Sequence, residues 1–168
     1  MTSILSRAAV AAALFAATPV AAQQAPGGPN ARGEYLARIM DCGGCHTGGA
    51  LAGQPDPRLH LAGSGIGFGI PDLGVFYPPN LTPDRETGIG AWSEADIMRA
   101  VRTGERPDGR ILAPVMPWHS YAALNDTDAR ALARYLRSLP PVRNEVPRMV
   151  GASETPTAPY LSVVVPGR

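Results

Sequence analysis

Cys42-Gly43-Gly44-Cys45-His46 is the stretch whose reading decides the fold of this chain. It holds both cysteines of a 168-residue sequence, and a histidine adjoins the second of them. A thiolate is a nucleophile and a metal ligand, and a neutral imidazole can ligate through one nitrogen while its other nitrogen is held by a hydrogen bond. Upstream, Leu36, Ile39 and Met40 fall on one face of a predicted helix that runs straight into Cys42. Two thiols and one imidazole gathered at a helix end call for a chemical explanation.

Four chemistries use such a cluster. A disulfide between Cys42 and Cys45 suits an oxidising compartment but leaves His46 without a role. A thioredoxin-like redox pair needs alternating strands and helices, and no strand alternation is legible here. A zinc site needs two further ligands; His60 and His119 are the remaining imidazoles, and there is no second C-x-x-C. Covalent haem uses the whole motif: thiols two residues apart can add to the two vinyl groups on one edge of the ring, and the adjoining imidazole reaches the iron from one face.

The rest of the composition is compatible with that reading. A chain 45% hydrophobic and 17% charged is long enough for one globular domain. Its 15 basic and 14 acidic residues nearly cancel, and every basic one is Arg, so nucleic acid is not an expected partner. Arg7, the apolar run Ala8 to Ala17, Pro19 and the small residues Val20-Ala21-Ala22 form a secretory signal peptide over residues 1–22, cleaved after Ala22. Read as a membrane anchor, the run from Ala8 to Ala22 is interrupted by Pro19 and falls short of the ~20 residues of a spanning helix, so no direct membrane span is expected and the mature protein is placed in the periplasm.

Residues 23–31 read as a Pro/Gly-rich lead-in and 32–142 as the domain. Helical periodicity is absent from Gly43 to Gly90, where glycines and prolines punctuate the chain. A second helix is predicted from Ser93, with Asp96 completing a capping box, Ile97, Ala100 and Val101 facing inward, and Gly104 as the stop. A third is capped by Asn125, carries Asp126 and Asp128 at its positive end, and lines one face with Leu132, Tyr135, Leu136 and Leu139 before Pro140-Pro141 ends it. Residues 143–168 form an extended Pro-rich tail with a short Val163-Val164-Val165 run and no core of its own. The expected fold is all-α: three main helices and long Gly/Pro-rich loops around one covalent haem, which supplies the core that short helices lack.

The sixth coordination position of the iron separates electron transfer from small-ligand chemistry. Met116 stands between Pro114 and Pro117, whose rigid backbones can aim its sulfur. Met40 and Met98 fall in helical patterns and read as packing, Met149 lies in the tail, and His119 is the rival ligand three residues beyond Met116. Arg85, Arg102, Arg106 and Arg110 can neutralise haem propionates, although a solvated charged surface is the favoured reading for any one of them. Trp92 and Trp118 read as core packing.

Cys42 to His46, Asn80-Leu81-Thr82-Pro83-Asp84, Gly88-Ile89-Gly90-Ala91-Trp92-Ser93 and Pro114-Val115-Met116-Pro117 together resemble class I cytochrome c. The likeness is in particular to the single-haem domains of the cytochrome subunits of bacterial membrane-bound alcohol, aldehyde and sugar dehydrogenases, over Arg32 to about Pro141. The resemblance implies one haem c, bound through thioethers to Cys42 and Cys45, with His46 as proximal and Met116 as distal iron ligand. Asn80 and its neighbours would lie close to the haem. Gly33 and Leu36 on the first helix would meet Leu132 and Tyr135 on the third. Such subunits usually string three modules together, whereas this chain has one C-x-x-C-H, and no C-terminal amphipathic anchor is visible.

The expected function is single-electron transfer between redox proteins, with a dehydrogenase as donor, a cytochrome or terminal oxidase as acceptor, and no substrate transformed by the chain itself. The competing function is a haem enzyme or gas sensor with an open or labile sixth position.

Overall fold

The computed structural model describes residues 28–164 and 166; the signal-peptide reading falls on residues outside these. Five helices are present among them: α1 (Ala31–Ile39), α2 (Cys42–His46), α3 (Glu94–Thr103), α4 (Trp118–Tyr121) and α5 (Asp126–Ser138). The two longest have the ends their sequences specify. The Ser93 hydroxyl accepts from the Asp96 backbone N–H while the Asp96 carboxylate accepts from the Ser93 N–H, and Gly104 ends α3 at φ 75, a left-handed position that a glycine enters without cost from a Cβ. Asn125 caps α5 by accepting from the Asp128 N–H.

Helix α5 is the central element, packed by α1 and by α3, while α4 lies on α3. Leu36, Ala37, Ile97, Leu132, Ala133 and Leu136 interlock in one buried cluster with Leu61, Ile89 and Cys42. The α1–α5 crossing depends on Gly33, where a Cβ would strike the Ala131 carbonyl and the Tyr135 side chain. Gly33 and Leu36 therefore do meet α5 as expected.

Two features of α1 depart from expectation. The inward stripe is Gly33, Leu36 and Ala37, with Met40 packed beside it, whereas Ile39 is 58% exposed. At about 100° per residue, position 39 falls well to the side of a stripe centred on 33, 36, 37 and 40. The helix also stops before the motif, because Asp41 adopts a left-handed conformation (φ 54) between α1 and α2. Asp is among the few residues with a Cβ that enter that region readily.

The helical fold around α5 is as expected, and a small sheet is added to it. The Gly/Pro-rich loop contains two 3-10 turns, Ala50–Ala52 and Pro57–Leu59, and a hairpin of β1 (Gly67–Ile70) and β2 (Gly74–Phe76). The tail adds β3 (Val150–Gly151) antiparallel to β2 and β4 (Tyr160–Leu161) parallel to β1, giving the order β3-β2-β1-β4. The tail is thus extended but shares a core: Val150 is buried with Val75 and Tyr77, and the Tyr77 hydroxyl donates to the Ala158 carbonyl at 3.0 Å. Strands of two to four residues, half of them glycine in the hairpin's first strand, leave no alternation to read. Val163 and Val164 remain 82% exposed.

Candidate functional site

The five residues of α2 carry their chemistry on one side. Positions 42, 45 and 46 are i, i+3 and i+4 on a helix, so both cysteines and the histidine share a face, while the two glycines turn away. Those glycines border a cleft of about 600 Å³ lined also by Glu34, Arg38, Asp41 and His60; neither cysteine, His46 nor Met116 contributes to it. Gly44 has a steric reason: a Cβ there would run into the Asp41 carboxylate.

No disulfide joins the two cysteines; Cys42 is buried and Cys45 partly so. Burial pushes the Cys42 thiol up to about 11, and burial with the neighbouring Asp41 charge raises Cys45 as well.

His46 is 7% exposed, and its Nδ1 lies 2.8 Å from the Pro79 carbonyl oxygen. A carbonyl only accepts, so Nδ1 carries the proton and Nε2 keeps its lone pair. Burial lowers the imidazole pKa, which keeps the ring neutral. Pro79 is positioned by two stretches of loop running side by side: Ser64 N–H donates to the Pro78 carbonyl (3.0 Å), Leu81 N–H to the Leu61 carbonyl (2.8 Å), and Gly63 N–H to the His46 carbonyl (2.7 Å).

Asn80 is 1% exposed, and its polar atoms are all engaged within the protein. Its Nδ2 donates to Thr87 Oγ1 (3.0 Å) and to the Val142 carbonyl (2.7 Å), and its Oδ1 accepts from the Thr82 N–H (2.9 Å) and hydroxyl (2.8 Å). It adjoins Pro79 and ties the loop to the chain leaving α5. Its structural place is that of a hub that fixes the His46 acceptor, and its amide has no hydrogen-bonding atom left over for a ligand.

Among the other methionines, Met40 and Met98 pack against the main buried cluster and Met149 is 48% exposed. Met116 is half-buried in the loop entering α4, outside both buried clusters. His119 is exposed and lies on the Trp118 ring, with centroids 3.4 Å apart.

Of the four arginines, Arg102 pairs with Asp126 (2.5 Å), Arg110 with Asp108 (2.8 Å), and Arg85 is exposed. Arg106 differs. It is partly buried, with its guanidinium 5.4 Å from the centroid of the Trp92 ring, and its buried Nε makes only a long ion pair with Asp108, at 3.5 Å, and no hydrogen bond. The Trp118 indole Nε1 is the other buried side-chain donor without one among the described residues. Sequence reading places Trp118 in the core and misses its unpaired N–H, which no pattern in the sequence marks.

These features fit a haem. Among the described residues no three His, Cys, Asp or Glu side chains converge as a donor set for a bare ion. One neutral imidazole with a free Nε2 and a nearby pair of thiols suit an iron whose other donors arrive in a ring bound at its edge. The buried Trp118 indole N–H, which has no partner, suits a ligand that brings an acceptor, since an unpaired buried donor costs about 1–3 kcal/mol.

A five-residue helix that presents two thiols and an oriented imidazole, set against a small helical core, defines a haem-attachment domain. The cytochrome c family model matches residues 30–140, and the chain belongs to the cytochrome c family. Covalently bound haem c goes with membership of that family. The chain is similar to a subunit of the nicotinate dehydrogenase of Pseudomonas putida, 44% identical over 69% of this chain and 9% of that protein. It is also similar to the cytochrome c subunit of a quinone alcohol dehydrogenase of Gluconobacter oxydans, 43% identical over 69% of this chain and 23% of that one. The gluconate 2-dehydrogenase cytochrome c subunit of Pantoea cypripedii is 45% identical over 62% of this chain and 22% of its own length. The matched region spans less than a quarter of each of these relatives.

Proposed function

We propose that the chain is a periplasmic carrier of single electrons with one haem, attached through thioethers to Cys42 and Cys45 and ligated by His46 Nε2 and Met116 Sδ. The hydrogen bond between His46 Nδ1 and the Pro79 carbonyl carries this reading, because it fixes the tautomer and leaves Nε2 as the ligating atom. Haem supplies one-electron exchange between ferric and ferrous iron. The side chains do the rest. Cys42 and Cys45 fix the ring edge beside His46, and Pro79 holds the imidazole in one orientation. The Met116 thioether would be a soft iron donor that favours the ferrous state and competes with small outside ligands.

A dehydrogenase is the proposed donor and a cytochrome or terminal oxidase the acceptor. The relatives named as dehydrogenase subunits support the donor. The single C-x-x-C-H supports one haem and one electron per visit. No helix among the described residues is long and apolar enough to cross a membrane. Docking is proposed to be brief, in keeping with the small areas that redox encounters bury.

The test is the optical spectrum of the haem-loaded protein, with the weak near-infrared band of sulfur-to-iron ligation followed in wild type and Met116→Ala. A band present in the wild type and lost in the variant is expected. A haem spectrum that lacks the band, with fast carbon monoxide binding, would instead assign the open sixth position of a sensor or enzyme.

A further inference from the structure

Residues 113–124 contain Met116 and α4, and their hydrogen bonds are almost entirely with one another: Met116 N–H to the Ala113 carbonyl, Trp118 N–H to Met116, Tyr121 N–H to Pro117, Leu124 N–H to Tyr121. Among the described residues a single hydrogen bond joins this segment to the rest of the protein, and it runs from the Tyr121 hydroxyl to the Met40 carbonyl at 2.7 Å. Met40 follows the last residue of α1, stands two residues before Cys42, and its carbonyl is one of those a helix C-terminus leaves unpaired. The bond therefore ties the segment bearing Met116 to the segment bearing the cysteines and His46. On its other side the loop is held by packing, with the Trp118 ring against Gly104 and α4 on α3. Packing of that kind lets a loop slide; a hydrogen bond fixes a distance and a direction.

We propose that Tyr121 is a positioning residue, a strap that holds the Met116 loop against the Cys42 segment and so sets how readily the distal ligand gives way to an outside one. The proposal rests on the reading of Met116 as distal ligand. Burial holds the phenol up at about 12, so it remains a donor throughout the neutral range. Tyr121→Phe removes the hydroxyl and keeps the ring.

The experiment measures imidazole binding to the ferric haem-loaded protein in wild type, Tyr121→Phe and Tyr77→Phe, with the sulfur-to-iron band recorded in each. Tyr77 is the control, since its hydroxyl also donates to a backbone carbonyl, that of Ala158, but it packs with Val75 and Val150 of the small sheet. Loss of the strap is expected to tighten imidazole binding roughly three- to tenfold in Tyr121→Phe, the range one hydrogen bond gives, and to leave Tyr77→Phe at the wild-type value. An unchanged affinity, or an equal change in both variants, in proteins that keep the band overturns the strap. A wild type without the band overturns the Met116 assignment and the strap together.

Discussion

His46 and Pro79 are joined by a 2.8 Å hydrogen bond between the imidazole Nδ1 and the backbone carbonyl, across 33 residues of loop. The bond makes a loop residue responsible for the tautomer of the motif's histidine, and Pro79 is in turn held by Asn80. Asn80→Ala removes both Nδ2 donors and the Oδ1 acceptor from a buried network, leaving the Val142 carbonyl and the Thr82 groups to find new partners. Stability is expected to fall by about 2–3 kcal/mol in denaturant unfolding of the haem-loaded protein. An unchanged midpoint would remove Asn80 as the hub.

The crossing of α1 on α5 gives a second prediction. Gly33→Val would place two methyl groups where the Ala131 carbonyl and Tyr135 already stand. Separation of the helices should cost about 1–3 kcal/mol. Thermal unfolding of the haem-loaded protein checks this, and Ile39→Ser, on the exposed flank of the same helix, should be nearly neutral in it.

Much of the helical framework is legible because it is written in local chemistry. Ser93 with Asp96, Asn125 with Asp128, Gly104 and the Pro140-Pro141 pair mark where α3 and α5 begin and end. The cysteine motif and the prolines around Met116 are equally plain. What escapes is set by contacts distant in sequence: the strands pair Val75 with Val150 and Phe68 with Leu161, and no residue in either tail strand announces its partner. Asn80 could be singled out, but its partners at Thr87 and Val142 could not, so its place as a hub emerges only from the fold. The left-handed Asp41 and the Tyr121 bond to Met40 are of the same kind.

The tail is expected to contribute to stability despite its proline content. Ending the chain at Val142 would expose Val75 and Tyr77 and remove the Asn144 side-chain bond to the Ala62 carbonyl. Loss of the buried Val150 alone should lower stability by about 2 kcal/mol. Thermal unfolding of the shortened, haem-loaded chain checks this, and an unaltered transition would return the tail to a loose appendage.

Asp84 provides a pH dependence. Its Oδ1 accepts from the Thr87 N–H (2.7 Å), the Thr87 hydroxyl (2.7 Å) and the Glu86 N–H (3.2 Å). The Thr87 backbone bond, then the Thr87 hydroxyl, hold its carboxyl below the usual value. A depressed folded-state pKa contributes stability that is present above the unfolded value of about 3.9 and is lost as pH falls through the folded one. Wild type should therefore exceed Asp84→Asn in stability at pH 6, with the gap closing as the pH is lowered past 4. A gap that does not begin to shrink as the pH falls below 4 would contradict the assignment.

Attachment of one haem by Cys42 and Cys45 is the claim on which the rest depends. Intact mass spectrometry of the periplasmically expressed protein, run under denaturing conditions, tests it most directly, with the Cys42→Ala, Cys45→Ala double variant alongside. The expected mass is that of the chain from Gln23 plus one haem, with the haem lost from the variant on denaturation. A bare polypeptide mass, or one lighter by the two hydrogens of a disulfide, would contradict it.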